Sequence, residues 1–172
     1  EAHGLTGRVY AMFGELKPKR GVEMLGRAAK AGWQPLVVGR IRPSVAHLIP
    51  AGTTHVEWLA PEDLLAAYAA ADVVGQPSLW DGLPNVVLEA MACGRTVVGA
   101  PVGGMPDVIR HGENGFLATP ETFEAVLDEA FDSEVGGAAR ASVPSLDDEA
   151  DAWECVLRSV TAPNPGTLSP VE

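Results

Sequence analysis

Cysteine is scarce in this chain of 172 residues, with only Cys93 and Cys155 present. Two thiols do not make the disulfide framework of a small extracellular domain, so a reducing, cytoplasmic setting is expected. Basic residues are outnumbered, 12 Lys and Arg against 23 Asp and Glu, and the net charge is −11. Nucleic-acid-binding domains carry a basic face, which disfavours that class. No apolar run approaches the length of a membrane span. The opening residues, Glu1-Ala2-His3-Gly4, have neither the basic start nor the apolar stretch of a signal peptide. They include no initiating Met, and the chain is expected to be part of a longer protein. His3, His47, His55 and His111 fall at no metal-ligand spacing, and Cys93 has no His or Cys pair nearby, so surface or turn roles and no metal site are expected.

What is present is an ordinary globular composition, 47% hydrophobic and 20% charged, in a length that supports one domain with a core. Short apolar stretches at 8–13, 35–39, 55–59, 72–76, 96–100 and 116–118 read as buried strands. Between them, 21–31, 61–71, 84–93, 105–110 and 120–131 read as helices, and 146–160 as a last one. Pro61 suits a first helical position, Glu62 and Asp63 suit the first turn, and Gly94 suits a helix end. The alternation predicts an α/β fold: a Rossmann-like parallel sheet of about six strands with helices on both faces. Such sheets bind ligands at the carboxyl ends of their strands. Residues 136–144 read as a loop, 161–172 as a flexible tail, and 1–160 as one domain, with no internal repeat.

The stretch from Pro77 to Gly94 carries the chemistry. Asp81-Gly82 is a turn signal, and Pro84 opens a helix, which leaves the amides of Asn85, Val86 and Val87 free at a positive dipole end. Glu89 lies one turn on, and its side chain leans back toward that end. An anion site bracketed by two carboxylates fits a diphosphate joined to two sugars, because carboxylates accept charge-assisted bonds from hydroxyls. The densest cluster of cations, at Lys17, Lys19 and Arg20, lies between the first strand and helix. Plainer readings stand beside these. Asp81 could belong to a turn or cap the helix; Lys17, Lys19 and Arg20 could be a solvated loop; Gly103-Gly104 could be a simple turn. Among its apolar neighbours Glu89 reads as an inward acid in need of partners. Met91, Ala92 and Cys93 read as core, and Trp153 as packing the last helix.

These residues resemble glycosyltransferase family 4, retaining enzymes of the GT-B fold. The family's acidic motif is Glu, seven residues, Glu, then Ala-Met-Ala-Cys-Gly; here it is Asp81, seven residues, Glu89-Ala-Met-Ala-Cys-Gly94. Gly14 to Gly21 resembles its Gly-Arg-Leu-x-x-x-Lys-Gly block, and Tyr68 to Asp72 its step into the following strand. Gly103 to Ile109 resembles its Gly-Gly-x-Pro-Glu block, and His111 to Phe116 its last turn. The resemblance runs from about Val9 to Phe131 and implies one half of a GT-B fold. It implies a donor site built from Gly14, Glu15, Lys17 and Arg20, from Asp81, Gly82, Leu83, Pro84, Asn85, Val86 and Val87, and from Glu89. In it Asp81 meets the sugar hydroxyls, Glu89 meets the ribose, and Asp81 and Arg20 are the catalytic positions. The implied donor is a nucleotide diphosphate sugar of UDP or GDP type, with no metal and no further cofactor. The implied partner is an acceptor-binding N-terminal domain absent from this chain, so that the chain alone binds donor weakly and transfers little. The intact protein's contact with a membrane is left open. Two positions depart from the family: its Arg is Glu15 here, with Lys17 or Lys19 as substitutes, and its first Glu is the shorter Asp81. Those departures are the support for an alternative, a non-catalytic nucleotide-sugar-binding or scaffold module. A nicotinamide dehydrogenase is disfavoured, because no Gly-x-Gly-x-x-Gly follows the first strand.

Overall fold

Every residue of the strand Val9–Phe13 (β1) is buried, and consecutive side chains serve opposite faces. Tyr10 and Met12 join one apolar cluster; Val9, Ala11 and Phe13 join another. A strand with two apolar faces belongs inside a sheet covered on both sides. A computed structural model, which describes residues 5, 7–145, 147 and 148, places it there. The sheet is six-stranded: β1, Gln34–Val38 (β2), Thr54–Val56 (β3), Val73–Gln76 (β4), Thr96–Gly99 (β5) and Phe116–Leu117 (β6). All pairings are parallel, in the order β3-β2-β1-β4-β5-β6. Glu23–Lys30 (α1) and Phe123–Asp132 (α5) cover one face. Pro61–Ala69 (α2), Asn85–Ala92 (α3), Met105–Val108 (α4) and Gly136–Ala141 (α6) cover the other.

The expected alternation of elements is borne out, with boundaries moved by local causes. The edge strand β3 stops at Val56, where its pairing with β2 ends, and Trp58 is exposed. The first helix starts at Glu23, because Pro18–Arg20 form a separate 3-10 turn that closes on Gly21. Residues 120–122 sit in a turn before α5, where the Thr119 amide donates to the Thr122 hydroxyl. Pro43–Leu48, to which the sequence reading assigned no element, is a 3-10 helix. One segment was misread. Gly136–Ala141, expected as loop, is helical, because Ala139 is buried and the turn packs on α3; tertiary contact outweighs the poor helix propensity of paired glycines. The helix expected over 146–160, with Trp153 and Cys155, and the tail expected over 161–172 lie outside the described residues.

Strands to one side of β1 run 1-2-3 and to the other 4-5-6, so the direction in which strands are added across the sheet reverses between β1 and β4, while the strands themselves stay parallel. Their carboxyl ends diverge there and leave a crevice. The residues singled out from sequence follow those two strands: Gly14 to Arg20 after β1, and Asp81 to Glu89 after β4.

Candidate functional site

The loops after β1 and β4 are fastened to each other. The Leu79 amide donates to the Lys19 carbonyl at 2.8 Å, and a Cβ on Gly21, which sits at φ +63°, would lie 2.0 Å from the Pro77 oxygen. Only glycine permits both that approach and that backbone angle. Between the loops lies a cavity of about 310 Å³, lined by Gly14, Glu15, Lys17, Lys19, Arg20, Asp81, Pro84, Asn85 and Val86. A hollow of about 370 Å³ at the ends of β4 to β6 is walled mainly by apolar groups such as Met24, Val102 and Phe123 and holds no cation.

Asp81 and Arg20 meet at the cavity wall. Arg20 is 8% exposed; its Nη2 donates to the Phe13 carbonyl at 2.7 Å, and its Nη1 lies 3.6 Å from Asp81 Oδ2. Its Nε is buried without a hydrogen-bond partner. Burial pulls the Arg20 guanidinium below the usual arginine range, and the Asp81 charge opposes that shift. Lys19 Nζ stands 4.0 Å from Asp81 Oδ1 and 3.9 Å above the centre of the Trp80 ring. Behind Asp81 runs a buried relay, in which Gln76 Nε2 donates to Ser78 Oγ at 2.9 Å and Ser78 Oγ reaches Asp81 Oδ2 at 3.4 Å. The Gly82 amide donates to Asp81 Oδ1 at 3.0 Å.

The helix end differs in detail from the sequence reading. Pro84 is extended and caps α3, which begins at Asn85. The Val87 amide is not free: it donates to the Pro84 carbonyl at 3.0 Å, and Val87 is fully buried. Among the described residues the Asn85 and Val86 amides make no hydrogen bond, so two donors remain at the positive end of the helix, beside Arg20 and the lysines. Gly82 and Leu83 lie outside the cavity lining; the Gly82 carbonyl accepts from the Gly104 amide at 2.8 Å, and Leu83 borders another hollow with Leu88 and Met91.

Glu89 also corrects the reading. It is exposed rather than turned into the core, and it does not line the cavity. Its partner is the Tyr68 hydroxyl, which donates to Oε2 at 2.6 Å from α2, while the Tyr68 ring stacks on Phe13 at 4.0 Å. Burial, then this bond to Glu89, pushes the Tyr68 hydroxyl far up, so it stays a donor. Ala92, read as core, is exposed, because the buried side of α3 is made by Val87, Ala90 and Met91.

Glu15 is not a bare carboxylate. Arg42 donates to its two oxygens, from Nε at 2.9 Å and from Nη2 at 3.1 Å, and Lys17 Nζ lies 3.7 Å away. Arg42, Tyr68, Gln76 and Ser78 were not expected as parts of the site. Glu15 and Arg42 are 27 residues apart, and no periodicity or motif marks that pairing. Gly103 is a further support: at φ +58°, its Cβ would fall 1.8 Å from the Asp81 carbonyl oxygen. Gly103 therefore lets the loop after β5 lie against the Asp81 turn. Among the described residues, no group of three or more His, Cys, Asp or Glu is placed to hold a metal ion, and no helix is long and apolar enough to cross a membrane.

Comparison with known proteins agrees with this architecture. The family model described as "Glycosyl transferases group 1" matches residues 7–132. The D-inositol 3-phosphate glycosyltransferase of Mycolicibacterium gilvum (strain PYR-GCK) is 32% identical over 155 residues, covering 80% of this chain and 35% of its own length. Its namesake from Salinispora tropica is 36% identical over 135 residues, covering 64% and 28%. The chain thus spans about a third of the length of these curated relatives. Among solved structures, sucrose-phosphate synthase of Thermosynechococcus elongatus superposes with a TM-score of 0.76 at 24% identity, over 91% of this chain and 46% of that one. HepE of Anabaena, crystallised with UDP-glucose, gives 0.71 at 23% identity, over 90% and 48%. The C-terminal domain of a group 1 glycosyl transferase from Francisella tularensis gives 0.65 at 20% identity, over 79% and 84%.

Proposed function

Because this chain belongs to the group 1 glycosyltransferases and corresponds to the C-terminal domain of their GT-B fold, we propose that it is the donor-binding half of a retaining glycosyltransferase. The donor in this reading is a nucleotide diphosphate sugar, UDP- or GDP-linked. Residues 1–160 form the donor domain, and an acceptor-binding domain elsewhere in the same protein completes the cleft. Relatives named as D-inositol 3-phosphate glycosyltransferases make a phosphorylated polyol the first acceptor class to assay.

The observation that carries the reading is the cavity at the crevice between β1 and β4. Arg20, Lys17 and Lys19 share it with the two free amides of α3, in a chain whose net charge is −11. Cations concentrated there against an acidic background fit a diphosphate. Transfer breaks the bond between the anomeric carbon and the β-phosphate oxygen, whose electron pair leaves with the diphosphate, while an acceptor hydroxyl bonds to the anomeric carbon and passes its proton to the departing phosphate. Arg20, the lysines and the amides stabilise the charge growing on the diphosphate. Asp81 accepts from sugar hydroxyls, and Glu89, steadied by Tyr68, accepts from the ribose.

Calorimetric titration with UDP, GDP and their glucose and mannose conjugates tests this reading. Binding of at least one nucleoside diphosphate is expected, and Arg20→Ala should weaken it about tenfold or more, since a lost charge-assisted bond costs roughly 1.5–3 kcal/mol. Binding unchanged by Arg20→Ala would move the phosphate grip elsewhere. A second reading, a nucleotide-sugar-binding module without catalysis, draws on the carboxylate of Glu15 in the cavity wall. Transfer of sugar by the full-length protein would exclude it.

A further inference from the structure

Glu15 places a carboxylate in the wall of a cavity otherwise supplied with the cations Lys17, Lys19 and Arg20. A bare carboxylate there would repel a diphosphate. Its two oxygens are instead taken by Arg42, through Nε at 2.9 Å and Nη2 at 3.1 Å, the forked geometry that a guanidinium offers and an ammonium does not. The backbone brings the pair together. The Leu16 amide donates to the Arg40 carbonyl at 2.8 Å, and the Arg42 amide donates to the Leu16 carbonyl at 3.1 Å. Leu16 and Ile41 thereby form a parallel bridge that extends the β1–β2 pairing into the two loops. Residue 42 is delivered beside residue 15 by the sheet and not by a chance rotamer. The Arg42 hydrogen bond, with the charges of Arg42, Lys17 and Arg40, holds the Glu15 carboxyl below the usual carboxylate range.

We infer that Arg42 is a positioning residue of the diphosphate site, acting through Glu15: it cancels the carboxylate, so that the cavity wall presents a neutral pair and leaves the field of Arg20 and Lys19 to the phosphates. This rests on the diphosphate reading given above. Arg42 restores from the neighbouring loop part of the charge lost where Glu15 replaces the Arg of the family's first block. A Glu at position 15 then costs donor affinity unless a cation stands at position 42.

The test is a double-mutant cycle on the 172-residue chain, titrated with UDP and with GDP. Arg42→Gln uncovers Glu15 and should weaken the nucleoside diphosphate about tenfold, the scale of one unit charge facing another near a protein surface. Glu15→Gln should bind at least as tightly as the unaltered chain. In the Glu15→Gln background Arg42 loses its fork and its half-exposed side chain is free to turn to solvent, so Arg42→Gln should cost clearly less than it does beside Glu15, and that rescue is the result a merely structural role would not give. Arg42→Lys should fall between, keeping the charge without the fork. Melting temperature should hardly move in any variant, because exposed pairs add little to stability. Two results would overturn the inference. An equal loss with and without Glu15 would mean that Arg42 acts on the ligand directly, by contact or by its own charge, and not through Glu15. No loss in Arg42→Gln would make the pair a surface salt bridge with no bearing on the site. The unaltered chain is titrated first: if it binds neither UDP nor GDP, the diphosphate reading falls, and this inference with it.

Discussion

Asp81 is held by the groups that a diphosphate would need. Its two oxygens lie 3.6 Å from Arg20 Nη1 and 4.0 Å from Lys19 Nζ, and its side chain is 20% exposed. A bare nucleoside diphosphate must compete with that carboxylate for the cations. A nucleotide sugar meets the same competition and recovers the cost if its hydroxyls donate to Asp81. Asp81→Asn should therefore strengthen UDP severalfold, about 1 kcal/mol for a partly exposed pair, while UDP-glucose gains less or loses. The checking measurement is calorimetry of both ligands against both proteins; equal changes for the two would leave Asp81 no role toward the sugar. That Asp81 and Glu89 are separated by seven residues was legible in the sequence, and so was the motif that they share. The environment of each was not. Tyr68 reaches Glu89 across 21 positions, and Ser78 and Gln76 stand behind Asp81, because β4 carries them to the same crevice.

Among the elements, the loop after β5 decides where the Asp81 turn sits. Gly103 at φ +58° lies against the Asp81 and Gly82 carbonyls, and the Gly104 amide donates to the Gly82 oxygen at 2.8 Å. A methyl group at 103 has no room, since its nearest neighbour is backbone rather than a flexible side chain. Gly103→Ala should cost about 1–3 kcal/mol, the range for a strained left-handed residue, before any displacement of the turn is counted. Thermal melting should show the midpoint falling by several degrees. The accompanying loss of affinity should be larger for UDP-glucose than for UDP, because the displaced turn carries Asp81. A melt that matches the unaltered chain would show that the two loops separate without cost.

For the molecule as a whole, charge is the organising quantity. A net charge of −11 repels a nucleotide at long range, while Lys17, Lys19, Arg20, Arg40 and Arg42 are gathered around the ends of β1 and β2. Salt screens both effects, the long-range repulsion first and the short-range, partly buried cations less. Affinity for UDP should fall about tenfold or less between 0.05 and 0.5 M NaCl, with the steeper part at high salt, once the repulsion is already screened. Titrations across that range measure it, and an affinity that rises with salt would mean that long-range repulsion outweighs the local cations.

The sequence by itself determined the α/β class, the alternation of elements, the acidic motif and the family, because periodicity and short spacings are local properties that survive without coordinates. The tertiary structure decided the rest: the strand order that opens a crevice between β1 and β4, the helix at Gly136–Ala141, the Tyr68–Glu89 bond and the capture of Glu15 by Arg42. These contacts join residues far apart in the chain: the register of parallel strands brings Arg42 to Glu15, and the placing of α2 and α3 on one face of the sheet brings Tyr68 to Glu89.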